Sequence, residues 1–469
     1  MSAELIQFDL PAPVRKVINR LEENGYEAWL VGGSLRDLLM GRVPHDYDLA
    51  TNARPEQVQA LFNHHADVGL RHGTVMIIED GMPIEVTTFR KEGEYSDSRH
   101  PDEVAFVDSI EDDLARRDFT INAMAYNPKK GLVDPFGGQN DLNARLIRAV
   151  GDPDRRFQED ALRMLRAWRF AAQLGFQIEE NTLAALEKKS NMERLEAISA
   201  ERIMDEFTRI LVSDHPEVIE HMTGLMEPWI PELQVMLDTD QINPHHYTDV
   251  LHHTLDALKR LNTKDPMVAW ALLLHDTGKP ATKTTDEKGD HFKKHPMVSA
   301  KIARRVMRDL KAPKKWQEVI PELVLRHDAF YAPKLDNIVK LRITNGWSDE
   351  QMQQLFEVQR GDILAHTSFE RLDIQKKFRD FYDREKERRP LSLKQLALGG
   401  NDVLEHTSLK GKQVGKALDA LLLAAFYNPE QNTREGLLKK LPGIEKQILA
   451  EVAEAAEGKD NRKSGGMKK

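Results

Sequence analysis

The 469-residue sequence predicts a multidomain α+β protein, with an α/β head over residues 1–150 followed by an all-helical remainder. Three observations carry this expectation. The length is about three times a typical domain of roughly 150 residues. Short apolar runs alternate with helical segments only as far as about residue 150. Beyond that point the apolar spacing is helical throughout.

The elements follow in order. Residues 11–30 contain a helix ending near Gly25, and the apolar run 28–31 leads into Gly32 and Gly33. A short helix over 34–40 is stopped by Gly41 and Pro44. Residues 47–51 form a strand with an acidic pair, Asp46 and Asp48, at its start, and a helix runs from Pro55 to about Phe62. Residues 74–78 and 84–89 are paired strands joined through Asp80, Gly81 and Pro83. Arg116, Arg117 and Asp118 stand near the start of a further helix, and Asp134, Gly137 and Gly138 form a structural turn. From Phe157 to about 230 the pattern is helical, broken near Gly175 and at His215 and Pro216. Residues 245–345 are helical with loops at 282–289 and near Pro313, and the tail is interrupted by Gly399, Gly400, Asn401 and Asp402. The expected domains are a head (1–150), a helical neck (151–235), a histidine-rich helical body (236–345) and a helical tail (346–469).

Composition narrows the function. The absence of cysteine excludes disulfides, thiolate zinc, iron–sulfur ligation and cysteine nucleophiles. Apolar residues at 40% and charged residues at 30% exclude a disordered chain. Neither a signal-peptide stretch nor a run of about 18 apolar residues is present. These features predict a cytoplasmic protein with no membrane partner. The net charge of −9 is uneven: −9 over 1–150, −6 over 151–230, +2 over 231–350 and +4 over 351–469. The mildly basic second half remains able to follow a phosphate backbone.

The first informative stretch is LVGGSLRD at 30–37, followed by Asp46 and Asp48. A glycine pair entering a helix lets backbone N–H groups approach a phosphate, and Gly33 lies there. Arg36, one turn further on, adds a bidentate phosphate contact. Residues i and i+2 of a strand share a face, so Asp46 and Asp48 point to one place. Two carboxylates held together need a cation, and hard oxygen donors suit Mg²⁺, with Glu85 on a neighbouring strand as a third ligand. Without that glycine–arginine segment, a solvated acidic turn would be the better explanation of the pair.

These residues lie in a longer series of motifs. They are LVGGSLRDLLMGRVPHDYDLAT (30–51), RHGTV (71–75), EVTTFR (85–90), RRDFTINAMAY (116–126), DPFGGQNDL (134–142) and RFQEDALRMLRAWRFAAQLGF (156–176). In order and spacing the series resembles the bacterial class II tRNA nucleotidyltransferases (CCA-adding enzymes) and poly(A) polymerases. The resemblance implies a polymerase-beta-like nucleotidyltransferase head in which Asp46 and Asp48 are catalytic and hold Mg²⁺. It implies that Arg117 contacts the incoming nucleotide, with Asn122 in the same motif. It further implies that Asp160 and Arg163, on one helix with Arg166 and Arg169, hydrogen-bond the base edges of CTP and ATP as a protein template. Arg166 and Arg169 then support the phosphates or the RNA end. The implied partners are the tRNA 3′ end and acceptor arm, CTP and ATP.

The scaffold supports full CCA addition, CC addition or A addition. The loop RKEGEYSDSR at 90–99 reads as complete, which disfavours CC-only addition. Full CCA addition is therefore expected, with A-only addition and poly(A) synthesis as alternatives. The short Lys/Arg-bearing C-terminus is unlike the long basic extension of the polymerases.

The middle region carries a second chemistry. LLLHDTGKP at 272–280 is similar to the signature of HD-domain phosphohydrolases. His253, His275, Asp276 and Asp328 form the minimal expected metal set, and His295 and His327 would extend it to two metals. Imidazoles with carboxylates suit a transition metal such as Ni²⁺, Co²⁺ or Mn²⁺, which would activate water against a phosphate ester. Between Lys301 and Lys315, Arg304, Arg305, Arg308, Lys311, Lys314 and Lys315 stand against a single acid, Asp309. This run is expected to contact RNA phosphates. In the tail, Lys376, Lys377, Arg379, Arg388 and Arg389 are expected to grip the tRNA elbow.

Overall fold

A seven-stranded mixed sheet organises the head. In chain order its strands are β1 (Ala28–Val31), β2 (Asp48–Thr51), β3 (His65–Ala66), β4 (Thr74–Glu79) and β5 (Met82–Thr88). A separate two-stranded ladder, β6 (Arg90–Glu92) with β7 (Val104–Phe106), precedes the last two, β8 (Ala125–Asn127) and β9 (Gly131–Val133). The spatial order is β3-β4-β5-β2-β1-β8-β9. This is a computed structural model, and it describes residues 7–66, 73–92, 104–241, 248–287 and 289–464. Residues 93–99 of the 90–99 loop, and Arg71 and His72 of the second motif, lie outside the described residues.

Two cores sandwich the sheet, and strand alternation explains both. Leu30, Leu49, Val75, Ile77, Ile84 and Val86 face one side, where helix α1 (Ala12–Glu23) adds Val14, Val17, Ile18 and Leu21 at helical spacing. Trp29, Val31, Ala50 and Phe89 face the other, against Ile110 and Leu114. The register then sets the functional end. β1 and β2 are antiparallel with Val31 opposite Asp48, and β2 and β5 are parallel with Asp48 opposite Glu85. The glycine pair leaving β1 therefore meets both carboxylate-bearing strands.

The remaining head helices are α2 (Gly32–Leu39), α3 (Pro55–Leu61), α4 (Ile110–Ala115) and α5 (Gly138–Ala144). Arg116 and Arg117 follow the end of α4, where Arg116 is the C-cap. With Asp118 they precede a short 3-10 helix over Thr120–Asn122, as the sequence suggested. Asp134 accepts from the backbone N–H groups of Gly138 (2.7 Å) and Gln139 (2.9 Å), building the expected turn. A Cβ on Gly138 would stand 2.1 Å from the Thr120 carbonyl oxygen, so only glycine fits there.

The neck begins with α6 (Pro153–Glu159) and α7 (Leu162–Leu174), followed by α8 (Glu180–Leu186), α9 (Lys189–Met192), α10 (Ala200–Leu211) and α11 (Glu232–Leu237). Asp160 is not on α7, contrary to the single-helix expectation. It is the C-cap of α6 with extended backbone (φ −141°), and its Oδ1 accepts from Leu162 N at 3.0 Å. The carboxylate thus satisfies a helix-end donor and breaks the helix in doing so. The histidine-rich stretch comprises α12 (Val250–Leu261), α13 (Pro266–Leu274), α14 (Lys279–Thr282), α15 (His295–Asp309) and α16 (Lys314–Arg326).

The chain divides into two compact units, Met1–Pro321 and Glu322–Lys469. The division falls inside α16, which carries Pro321. Head, neck and most of the histidine-rich stretch thus form one unit. The second unit continues with α17 (Leu335–Ile338), α18 (Asp349–Leu364), α19 (Glu370–Lys386), α20 (Gly400–His406), α21 (Lys412–Tyr427), α22 (Arg434–Leu438) and α23 (Leu441–Ser464). Ser348 and Gln351 form a capping box on α18. Among the described residues, no helix is long and apolar enough to cross a membrane.

Candidate active site

A cleft of about 1040 Å³ opens at the functional end of the sheet, between the head and the neck helices of the first unit. Gly33, Arg36, Asp46, Asp48, Glu85, Arg117, Asp160, Arg163, Arg166 and Arg169 all line it. Carboxylates form one wall and guanidiniums much of the other.

The carboxylate wall is built by the strands. Asp48 opens β2, half-buried, while Asp46 lies in the exposed bend before it. Tyr47 between them is buried, which places the two aspartates on the same side. Glu85 is exposed on β5 opposite Asp48. Burial pushes Asp48 up to about 6, and the charges of Asp46 and Glu85 add to the rise, while Arg117 opposes it. The left-handed φ of Gly32, +68°, turns the chain into α2 at this point. A Cβ there would lie 3.5 Å from Asp48 Oδ2 and 3.4 Å from Arg117 Nη1, in ordinary contact with both groups.

The guanidiniums are held by buried acids, of which the sequence reading named only Asp118. Asp113, 1% exposed, accepts from Arg116 Nε and Nη2 (3.0 and 2.7 Å) through Oδ1 and from Arg117 Nη2 (3.0 Å) through Oδ2. Burial would raise this carboxyl, but the two arginines outweigh it and hold it low. Asp118 accepts from Arg166 Nε at 2.7 Å. There too burial is outweighed, chiefly by Arg166, and Asp118 sits at about 2. Glu206 of α10 pairs with Arg169 at 2.9 Å, burial raising the acid and lowering Arg169 to about 10. The i, i+4 spacing of Asp113 and Arg117 was a readable signal. The other two pairings join distant segments and leave no local trace.

The two residues expected to read a base are both engaged. Asp160 Oδ2 accepts from Arg202 Nη2 at 3.0 Å. Arg163 donates to Glu159 Oε2 (2.6 Å) and to the carbonyls of Arg156 (3.1 Å) and Arg116 (3.0 Å). Arg36 donates to Asn122 Oδ1 at 3.0 Å and to Asp37.

A second cluster lies deeper in the first unit. His253 of α12, His275 and Asp276 after α13, and His295 opening α15 are all buried. Nε2 atoms of His253, His275 and His295 stand 3.7, 3.1 and 3.3 Å from the Asp276 carboxylate. His253, His275 and Asp276 present ligand atoms close enough to hold one metal ion. The Nδ1 atoms of His275 and His295 donate to the carbonyls of Leu272 (2.5 Å) and Phe292 (2.8 Å). Since a carbonyl only accepts, Nε2 is the atom left to ligate. Lys279 also reaches Asp276 at 2.6 Å. Burial opposes ionisation of Asp276, yet His275 and Lys279 hold it well below the usual carboxylate range.

In the second unit, His327 is buried with its Nδ1 on the Val324 carbonyl (2.7 Å). The exposed carboxylate of Asp328 is paired with Arg371 at 2.8 Å. The buried acid beside a histidine in this unit is Asp362, 3.3 Å from His366. Both lie at i, i+4, a spacing the sequence displayed without an HD-like signature to mark it.

The basic run is less uniform than its composition. On α15, the turn after it and the start of α16, Arg304, Arg308, Lys311, Lys314 and Lys315 are exposed. Arg308 pairs with Asp309, Lys311 with Glu201 (3.3 Å) and Lys314 with Glu318 (4.0 Å). Arg305 is instead a brace, bonded to Glu232 (2.6 Å) and the Trp229 carbonyl (3.0 Å). In the tail, Arg389 is likewise held by Glu385 and the Phe426 carbonyl, and Arg379 by Glu357.

Comparison with known proteins agrees with this geometry. Residues 28–148 match the family described as Poly A polymerase head domain, 175–237 the probable RNA and SrmB-binding site of polymerase A, and 245–355 the HD domain. The CCA-adding enzyme of Latilactobacillus sakei is 35% identical over 90% of this chain and 96% of its own length. That of Pediococcus pentosaceus is 42% identical over 55% of this chain, and the chain spans 64% of that relative's length. Among solved structures, the Bacillus stearothermophilus CCA-adding enzyme in complex with CTP is 29% identical, covers 94% of this chain and all of its own, and gives a TM-score of 0.62.

Proposed function

The chain belongs to the CCA-adding enzyme family, and from that premise we propose that it adds C, C and A to the 3′ end of tRNA, using CTP and ATP and releasing pyrophosphate. The observation that carries this reading is the cleft, where three carboxylates face a set of braced guanidiniums. Acting on tRNA, the protein would work in the cytoplasm.

The carboxylates fit a hard divalent cation. Their donors are all oxygen, and a cation would offset both the burial that lifts Asp48 to about 6 and the added repulsion of Asp46 and Glu85. Asp46, Asp48 and Glu85 would hold Mg²⁺, which when bound neutralises charge on the attacking and leaving oxygens. The chain's own residues do the positioning. Arg36 and Arg117 bind the triphosphate, braced by Asn122 and Asp113 respectively. The terminal ribose hydroxyl of the tRNA then attacks the α-phosphorus, and the bond to pyrophosphate breaks. No covalent enzyme intermediate is required, so catalysis rests on placement and charge. Asp160 accepts from the exocyclic amine of cytosine or adenine, and Arg163 donates to ring acceptors. Arg166 and Arg169 support the phosphates or the RNA end, and the exposed cations of α15 contact its backbone. Replacing Asp160 or Arg163 with alanine should let UTP and GTP enter in place of CTP and ATP. Unchanged nucleotide choice in both variants would reject the protein-template role.

A second activity is favoured by the buried histidine cluster. His253, His275 and Asp276, with His295, would hold Ni²⁺, Co²⁺ or Mn²⁺, and the domain would hydrolyse phosphate esters at RNA ends. Phosphate release from 2′,3′-cyclic phosphates should require such a metal and vanish in Asp276→Ala, while tRNA extension stays within about twofold. Release unaffected by that substitution would reject this site.

A further inference from the structure

Three guanidiniums converge on one aromatic ring at the wall of the cleft. Phe170 of α7 is only 6% exposed. The Cζ atoms of Arg169, Arg166 and Arg36 lie 4.4, 5.4 and 5.5 Å from its ring centroid. Phe119 meets the same ring edge-on, at 5.8 Å and 82°. Ion pairing accounts for only part of the convergence: Glu206 pairs with Arg169 at 2.9 Å and stands 3.8 Å from Arg166, but Arg166 is held chiefly by Asp118 and Arg36 by Asp37. Those acids come from three different elements. The ring is what the three cations have in common. Cations gathered this closely repel one another, and the negative face of an aromatic ring offsets part of that repulsion. An aliphatic side chain would fill the same space without doing so. The convergence also crosses a joint, since Arg36 belongs to the head and Arg166 and Arg169 to the neck.

We propose that Phe170 is a positioning residue for nucleotide addition: the π-face of its ring holds Arg36 of the head in register with Arg166 and Arg169 of the neck, so that one nucleotide meets both sets. This rests on the cleft being the nucleotide site. The ring acts through the arginines in the ground state, so its effect belongs in KM more than in kcat.

The test replaces Phe170 with mono-, di- and pentafluorophenylalanine in the full chain, because fluorination drains the ring's negative face while keeping its shape. KM for CTP and ATP should rise stepwise with fluorine number, reaching at least about fivefold for the pentafluoro ring given a factor of roughly two or more per cation–π contact. The kcat should stay within about twofold and the melting temperature nearly constant. Phe170→Leu should match the pentafluoro protein in KM, and Phe170→Tyr should stay near wild type. A KM that is flat across the fluorine series, in a wild type that does add C and A, overturns the positioning role alone. A wild type that adds neither nucleotide to tRNA overturns the reading of the cleft as well.

Discussion

Replacing Asp48 with asparagine should stabilise the metal-free protein while abolishing nucleotide addition. Burial, reinforced by the charges of Asp46 and Glu85, lifts this carboxyl from an ordinary 3.8 to about 6. A carboxyl with a raised folded pKa is ionised in the native state at a cost. That cost is complete above about pH 6, shrinks as pH falls towards 3.8, and disappears below it, where both states are protonated. The difference corresponds to roughly 3 kcal/mol of stability withheld at neutral pH. Asparagine has nearly the same shape and carries no charge, so it should recover most of this. Urea denaturation in a chelator near pH 8 should show Asp48→Asn more stable than wild type by roughly 2–3 kcal/mol. The gap should halve near pH 5 and approach zero near pH 4. Added Mg²⁺ should raise the stability of the wild type and leave the variant almost unchanged. A variant less stable than wild type near pH 8, or a gap independent of pH, would refute the crowding argument.

Three further substitutions test the supports. Asp118→Asn should cost about 2 kcal/mol near neutral pH, because it removes the carboxylate bonded to half-buried Arg166 and leaves only Glu206 at 3.8 Å. Asp118 is depressed to about 2, so the wild type should lose this contribution as pH falls from about 4 to about 2, which a pH series of thermal melts will show. Asp113→Asn should raise KM for both nucleotides about tenfold, equivalent to ~1.4 kcal/mol, by loosening Arg117; steady-state kinetics with CTP and ATP reads this directly. Gly138→Ala should destabilise by roughly 1–3 kcal/mol in chemical denaturation, since its Cβ meets the Thr120 carbonyl oxygen.

Much of the head was legible because its motifs are local. The i, i+2 aspartates, the glycine pair and the paired strands 74–78 and 84–89 each follow from neighbouring residues, and the sheet brings them to one cleft. What was not legible depends on partners distant in sequence. Glu206 reaches Arg169 from α10, and Arg202 reaches Asp160 across 42 residues. The helix break at Asp160 was hidden because its charge spacing with Arg163 and Arg166 imitates one helical face. The bonds of Arg305 to Glu232 and of Arg389 to the Phe426 carbonyl could not be read from composition. Asp328 followed its histidine in sequence, as Asp276 does, but pairs with Arg371. Charge runs report what a segment carries, whereas burial and pairing decide which of those charges face a ligand.

Extension of a defined tRNA lacking its 3′ terminus, resolved to single nucleotides, tests the central claim most directly. With Mg²⁺, CTP and ATP, the wild type should add C, C and A in that order and stop, and Asp46→Ala should add nothing. A wild type that adds no nucleotide would contradict the account. Addition of a single A only to tRNA already ending in CC, or of long A tracts to any RNA, would contradict its choice of reaction.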